Sequence, residues 1–142
     1  MENENADLKA ASNQESDPRL NNPVGTIEPE KLGAKKVKVL KAEIQTQYKK
    51  DKTTAVGDIV KLTCKHPDKD EPIVISKVRY EVVGKLKESG IWYNEDTNKE
   101  VQKGSALSIL LAHYSCANVR ALEALELDTV INEQGYLIIK AY

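Results

Sequence analysis

Phenylalanine is absent from this chain, and tryptophan and methionine occur once each. Six tyrosines and that tryptophan are the whole aromatic inventory of 142 residues. A surface that stacks many bases on rings is therefore excluded. Cysteine occurs twice, at Cys64 and Cys116, too few to staple a domain of this size as a disulfide scaffold. Long apolar runs are missing too. The longest, Ala106–Ala112, is seven residues and contains Ser108, far short of the ~20 that span a bilayer. The opening Met1-Glu-Asn-Glu-Asn-Ala-Asp7 is acidic and polar, unlike the basic start and apolar segment of a secretory signal. No Asn-x-Ser/Thr acceptor occurs. These absences together predict a soluble, cytoplasmic protein with reduced thiols and no membrane partner.

Net charge is nearly missing as well: 21 basic and 22 acidic residues leave −1. That balance is a cancellation. Residues 1–34 hold 3 basic and 7 acidic side chains, residues 35–87 hold 14 and 7, and residues 88–142 hold 4 and 8. Leu, Ile and Val number 5 in the first block and 30 in residues 35–142. The first block, punctuated by Pro18, Pro23 and Pro29, cannot bury enough surface to offset the entropy of ordering. We read 1–34 as a disordered acidic tail, with room for a short ordered piece near Val24–Ile27, and 35–142 as the folded domain.

From Lys35 the pattern has period two. Val37 to Tyr48 reads as a long strand whose apolar phase switches. Val37 and Val39 share one parity; Leu40, Ala42, Ile44 and Tyr48 share the other. Such a switch marks a bulge or a strand serving two sheets. Lys49–Gly57 is a polar loop, and Asp58–His66 a second strand with Val60, Leu62 and Cys64 on one side. His66–Pro72 is a turn, because Pro67 and Pro72 cannot donate to a ladder. Ile73–Val83 is the third strand, and Asn94–Glu100 a polar hairpin tip. Leu107, Leu110, Leu111 and Tyr114 then fall at i, i+3, i+4 and i+7, a helix that Ser105 can cap. A short helical stretch over Asn118–Leu125 follows. Leu127–Ile131 and Tyr136–Ala141 close the chain as two strands around the turn Asn132–Gly135. The C-terminal strand could pair between chains.

Three strands, a helix and two strands resemble the OB-fold, a small five-stranded Greek-key barrel. The resemblance spans residues 37–142 and rests on element order and on the phase switch of the first strand. The same order also fits other small β-barrels and an α+β sheet. On the face opposite the apolar phase lie Lys41, Lys61, Lys65, Lys77 and Arg79, opposed there by Glu43, with Lys49 and Lys50 in the following loop. Like charges gathered on one sheet face are unfavourable without an anionic partner. The OB resemblance implies an oligonucleotide groove on strands two and three, where these cations fall. Trp92 is the stacking candidate. An ordinary solvated face, or lysines guarding a strand edge, would account for the same residues.

Other constellations are weaker. Cys64-x-His66 and His113-x-x-Cys116 hold both cysteines and both histidines, but neither has the short knuckle spacing of zinc sites. Asn94-x-Asp96-x-Asn98-x-Glu100 imitates the start of a calcium loop, yet Lys99 stands where glycine is needed and Ser105 where glutamate is. Cys116 with His113, or Asp68, Asp70 and Glu71, lack a nucleophile elbow or a phosphate loop. The expectation is a non-catalytic protein without metal or cofactor that binds single-stranded DNA or RNA. The alternative is an assembly module that binds an acidic protein partner through the same face. Residues 1–34 could fold back on that face or recruit a protein.

Overall fold

The β-branched run that begins at Val37 carries alternate side chains into the core, and a strand forms where it starts. A computed structural model describes residues 17–27 and 32–142. The chain divides into two units, Met1–Glu30 and Lys31–Tyr142. In the first, Pro18–Asn21 forms a 3-10 turn capped by Asp17, whose carboxylate accepts the Arg19 N–H at 2.9 Å. Residues 17–27 are exposed throughout, and Val24–Ile27 contains no helix or strand. The rest of the expected tail, residues 1–16 and 28–31, lies outside the described residues.

The second unit is mostly β with one short helix. Its elements are β1 (Val37–Tyr48), β2 (Ala55–Lys65), β3 (Ile73–Ile75), β4 (Lys77–Val82), β5 (Lys85–Gly90), β6 (Trp92–Tyr93), α1 (Ala106–His113), β7 (Glu126–Leu127), β8 (Thr129–Ile131) and β9 (Leu137–Ala141). A curled antiparallel half-barrel sheet runs β3-β2-β1-β7, with β6 also on β2. A mixed sheet runs β5-β4-β9-β8, in which β4 and β9 are parallel. The chain passes between the sheets at Ser76, Ile91 and Asp128.

The phase switch in β1 is a bulge. Val39 pairs with Cys64 and Lys41 with Thr63, so Leu40 has no opposite number. Before it Val37 and Val39 are fully buried; beyond it the same face emerges toward solvent, and Ile44 and Tyr48 are largely exposed. On β2, Val60, Leu62 and Cys64 are fully buried, as their parity requires. Helix α1 lays Leu107, Leu110 and Leu111 on this core, and the Ser105 hydroxyl accepts the Ser108 N–H at 3.1 Å. Tyr114, one turn past Leu110, joins three elements. Its hydroxyl donates to the Lys140 carbonyl at 2.6 Å and accepts the Asp128 N–H at 2.9 Å, at the corner between β7 and β8. Burial pushes its phenol up to about 12.

His66 is fully buried at the end of β2. Its Nδ1 accepts the Asp68 N–H at 3.0 Å, so the proton sits on Nε2 and is donated to the Gly33 carbonyl at 2.8 Å. Thr129 donates to the Lys35 carbonyl at 2.6 Å, and Lys35 and Lys36 pair with Asp68 and Asp128, each at 2.8 Å. The chain is therefore tied down from Gly33 onward.

The five-stranded expectation needs three corrections. The third strand is two strands broken at Ser76, because the chain there leaves one sheet for the other. Leu127–Ile131 is likewise broken at Asp128. Lys85–Gly90, between the expected third strand and the hairpin tip, adds a six-residue strand paired along its whole length with β4. The turn joining them, Val83-Gly84, holds both residues at positive φ, 49° and 76°, the type I′ requirement. The C-terminal strand β9 lies between β4 and β8, so it offers no free edge along its paired length.

Candidate nucleic-acid interface

Cross-strand pairing sorts the outer face of the half-barrel into rows. Lys41, Thr63 and Val74 form one row, Glu43 and Lys61 the next, then Gln45, Ile59 and Trp92, then Gln47 and Gly57. Trp92 thus shares a face with Lys61, one pleat repeat away. Its indole lies over backbone where side chains are missing. A Cβ on Gly57 would sit 3.4 Å from the indole Cε3 and Cζ3; one on Gly90 would sit 3.0 Å from Nε1 and 3.1 Å from Ile59 Cδ1. The two glycines and Ile59 form a bed that holds the ring half-buried on the outer face. Lys77 pairs in register with Gly90, so it flanks the same ring from the second sheet.

The remaining cations stand elsewhere. Lys41 pairs with Glu43 at 2.9 Å, and that hydrogen bond raises the lysine above its ordinary range. The Lys65 ammonium is folded into the turn after β2, donating to the carbonyls of His66 (2.9 Å) and Lys69. Arg79 lies opposite Glu88 on β5 and pairs with it at 3.4 Å, the two side chains only 21% and 28% exposed. Asn132 Nδ2 donates to the other oxygen of Glu88 at 3.0 Å. Lys49 and Lys50 are exposed in the turn at the tip of the β1–β2 hairpin. Asp51 holds that turn: its carboxylate accepts the Thr53 and Thr54 N–H groups at 2.8 and 2.9 Å and the Thr54 hydroxyl at 2.6 Å. These bonds lower it to about 2.

Of the sequence-derived residues, Lys61, Lys77 and Trp92 come together, with Gln45 and Gln47 beside them. Lys49 and Lys50 stand at the hairpin tip, and Lys41, Lys65 and Arg79 carry local partners. Gly57 and Gly90 were not singled out as site residues. Glycine inside a strand marks close approach by another group, and that was the available signal.

The rival constellations do not assemble. Both nitrogens of His66 are engaged by backbone groups, and burial pushes the neighbouring Cys64 thiol up to about 12. His113 packs edge-on against Tyr114. The Asp96 carboxylate closes its own loop, accepting the Asn98 and Glu100 N–H groups at 2.8 and 3.1 Å. Among the described residues no three His, Cys, Asp or Glu side chains converge as metal ligands.

A concavity lies on the opposite face of the half-barrel. It is a groove of about 490 Å³ lined by Ala42, Ile44, Tyr93, Val101, Val119 and Glu123 among others. Searches with the chain found no matching family model, no matching curated protein and no matching solved structure.

Proposed function

We propose that this protein is a non-catalytic binder of single-stranded nucleic acid that uses the outer face around Trp92. The carrying observation is the indole seated on Gly57, Gly90 and Ile59, with Lys61 on one side and Lys77 on the other. A ring backed by glycine leaves its other side for a base, and stacking on such a ring is worth ~1–3 kcal/mol. In this reading Lys61, two residues from Ile59, and Lys77, opposite Gly90, take the phosphates on either side of the stacked nucleotide. Lys49 and Lys50 extend the basic track to the hairpin tip. One stacking ring and few cations imply modest affinity with strong salt dependence.

An OB-type barrel is the architecture we assign to this reading. Its support is the circuit of pairings: β1 to β2, β2 to β3, β4 parallel to β9, β9 to β8, and β7 back to β1. The helix falls between the third and fourth strands of that circuit, as the OB order requires. The scarcity of aromatics beside Trp92 favours a second reading, an acidic protein partner on the same face.

Fluorescence anisotropy with labelled oligo-dT, single-stranded RNA and duplex DNA separates the two. Binding to a single strand that charge reversal at Lys61 and Lys77 abolishes supports the proposal. No binding to any of the three at low salt leaves the acidic-partner reading in its place.

A further inference from the structure

Strand β1 is paired on both sides only in its first half. On one side β2 runs its whole length; on the other, β7 covers Val37 and Lys38. The pairing extends one step further, as Val39 exchanges hydrogen bonds with Leu125 and Ala124. Beyond the bulge the edge is plugged once. The Ala42 N–H donates to the Glu123 carboxylate at 3.0 Å, where a neighbouring strand would offer a carbonyl. Backbone groups alternate in direction along a strand, so those of Ile44, Thr46 and Tyr48 point the same way as Ala42. Among the described residues no strand pairs with them.

This edge differs from the other long one. Strand β5 carries Lys85 and Lys87, the usual guard against edge-to-edge pairing. The open stretch of β1 reads Ile-Gln-Thr-Gln-Tyr, with no charge, proline or glycine; its one irregularity is the register shift between Gln47 and Tyr48, where the extra residue is Val56 on β2. Ile44 and Tyr48 share one face of it and are 46% and 56% exposed.

We infer that residues 44–48 of β1 pair antiparallel with the same residues of a second copy of this chain, about a two-fold axis at Thr46. The register follows from self-complementarity. With the axis at Thr46, Ile44 meets Tyr48 of the second copy, Gln45 meets Gln47, and Glu43 meets Lys49. Both Ile44–Tyr48 pairs fall on the face that carries the groove beside Ala42 and Ile44, so each tyrosine ring covers apolar surface that is open in the single chain. About six backbone hydrogen bonds form across the axis. An axis at Gln45 would oppose Lys41 and Lys49. An axis at Ile44 would demand the Ala42 N–H, which Glu123 already holds. The result is one sheet continuous through two chains, an isologous interface.

Light scattering behind size exclusion, over a dilution series of the full chain, tests this. The expected particle has twice the 15.8 kDa chain mass and dissociates on dilution. Thr46→Pro removes an N–H that faces the open edge and, with it, the hydroxyl that donates to Asp58 at 2.8 Å, while the β1–β2 backbone bonds stay; it should yield a monomer with an unchanged circular dichroism spectrum, and Thr46→Ala, which loses the hydroxyl alone, should still dimerise. Glu43→Lys sets two ammonium groups against each other, the new one facing Lys49 twice per dimer; it also ends the pairing with Lys41, and Glu43→Gln, which ends that pairing alone, is the control. Glu43→Lys should weaken association about tenfold, and adding Lys49→Glu should restore it. A wild-type chain that is monomeric at every concentration overturns the inference. So does a dimer that Thr46→Pro leaves intact, or a Glu43→Lys defect that Lys49→Glu does not repair.

Discussion

Replacing Tyr114 by Phe removes one oxygen from the corner where β7 passes into β8. That oxygen satisfies two backbone groups, the Asp128 N–H at 2.9 Å and the Lys140 carbonyl at 2.6 Å. Each bond contributes ~0.5–1.5 kcal/mol net, and stranding the N–H adds to the loss, so Tyr114→Phe should destabilise by about 2 kcal/mol. Urea unfolding at pH 7 reads this directly. With a slope of ~1–3 kcal/mol per molar, the midpoint should fall by about 1 M while the slope stays constant. The pH dependence gives a second signature with a definite sign. The folded-state phenol is raised from 10.0 to about 12. Its contribution is therefore complete below pH 10 and is lost as pH rises from there through 12, because the unfolded chain ionises first. Tyr114→Phe removes that loss, so its stability should decline less steeply over this range than the wild type's. Cys64, raised from 9.0 to about 12, leaves a residual decline of the same sign in both proteins. Exposed Tyr136 serves as the control, and Tyr136→Phe should stay within about 0.5 kcal/mol. A Tyr114→Phe midpoint equal to that control, with an unaltered alkaline slope, would refute the reasoning.

Gly90→Ala brings a methyl within 3.0 Å of Trp92 Nε1 and 3.1 Å of Ile59 Cδ1, so the indole must move; Trp92 emission should shift to the red, with a loss of about 1–3 kcal/mol in urea unfolding. Thiol labelling should modify half-buried Cys116 first, slowly because burial raises its thiol too, and leave buried Cys64 unreacted until the chain unfolds, as peptide mapping of partly labelled protein would reveal. The Asp51 carboxyl should titrate by NMR near pH 2 rather than near 3.8. Its depressed value means that its hold on the hairpin turn is complete above pH 3.8 and is lost as pH falls through 2.

Much of the fold is legible in one dimension because period two and period 3.6 survive wherever one face is buried. Val37, Val39 and the later Leu40 parity reveal a bulge without any pairing information, since an extra residue inverts the phase. Leu107, Leu110 and Leu111 with Ser105 specify the helix and its start. What was hidden has a common cause. A strand that changes sheets, as at Ser76, keeps strand composition through the break. An edge strand exposed on both sides, as Lys85–Gly90 largely is, has no alternation to detect. Its turn is Val83-Gly84, and a β-branched residue at positive φ carries no turn signal. Without β5, Glu88 could not be matched to Arg79, so a neutralised cation counted toward the basic face. Parity grouped Lys77 with the other cations; what sets it beside the Trp92 bed is its register with Gly90, across the sheet boundary, which parity alone does not carry.

The central claim is that Trp92 and the lysines beside it form a single-strand binding face. Trp92 is the only tryptophan, so its fluorescence reports that face alone. Titration with oligo-dT at stepped salt concentrations should give saturable quenching. The logarithm of the binding constant should fall with the logarithm of salt by about 0.7 for each phosphate neutralised, or about 3 if Lys49, Lys50, Lys61 and Lys77 all engage. Unchanged emission at the lowest salt, with oligo-dT in excess, would contradict the account.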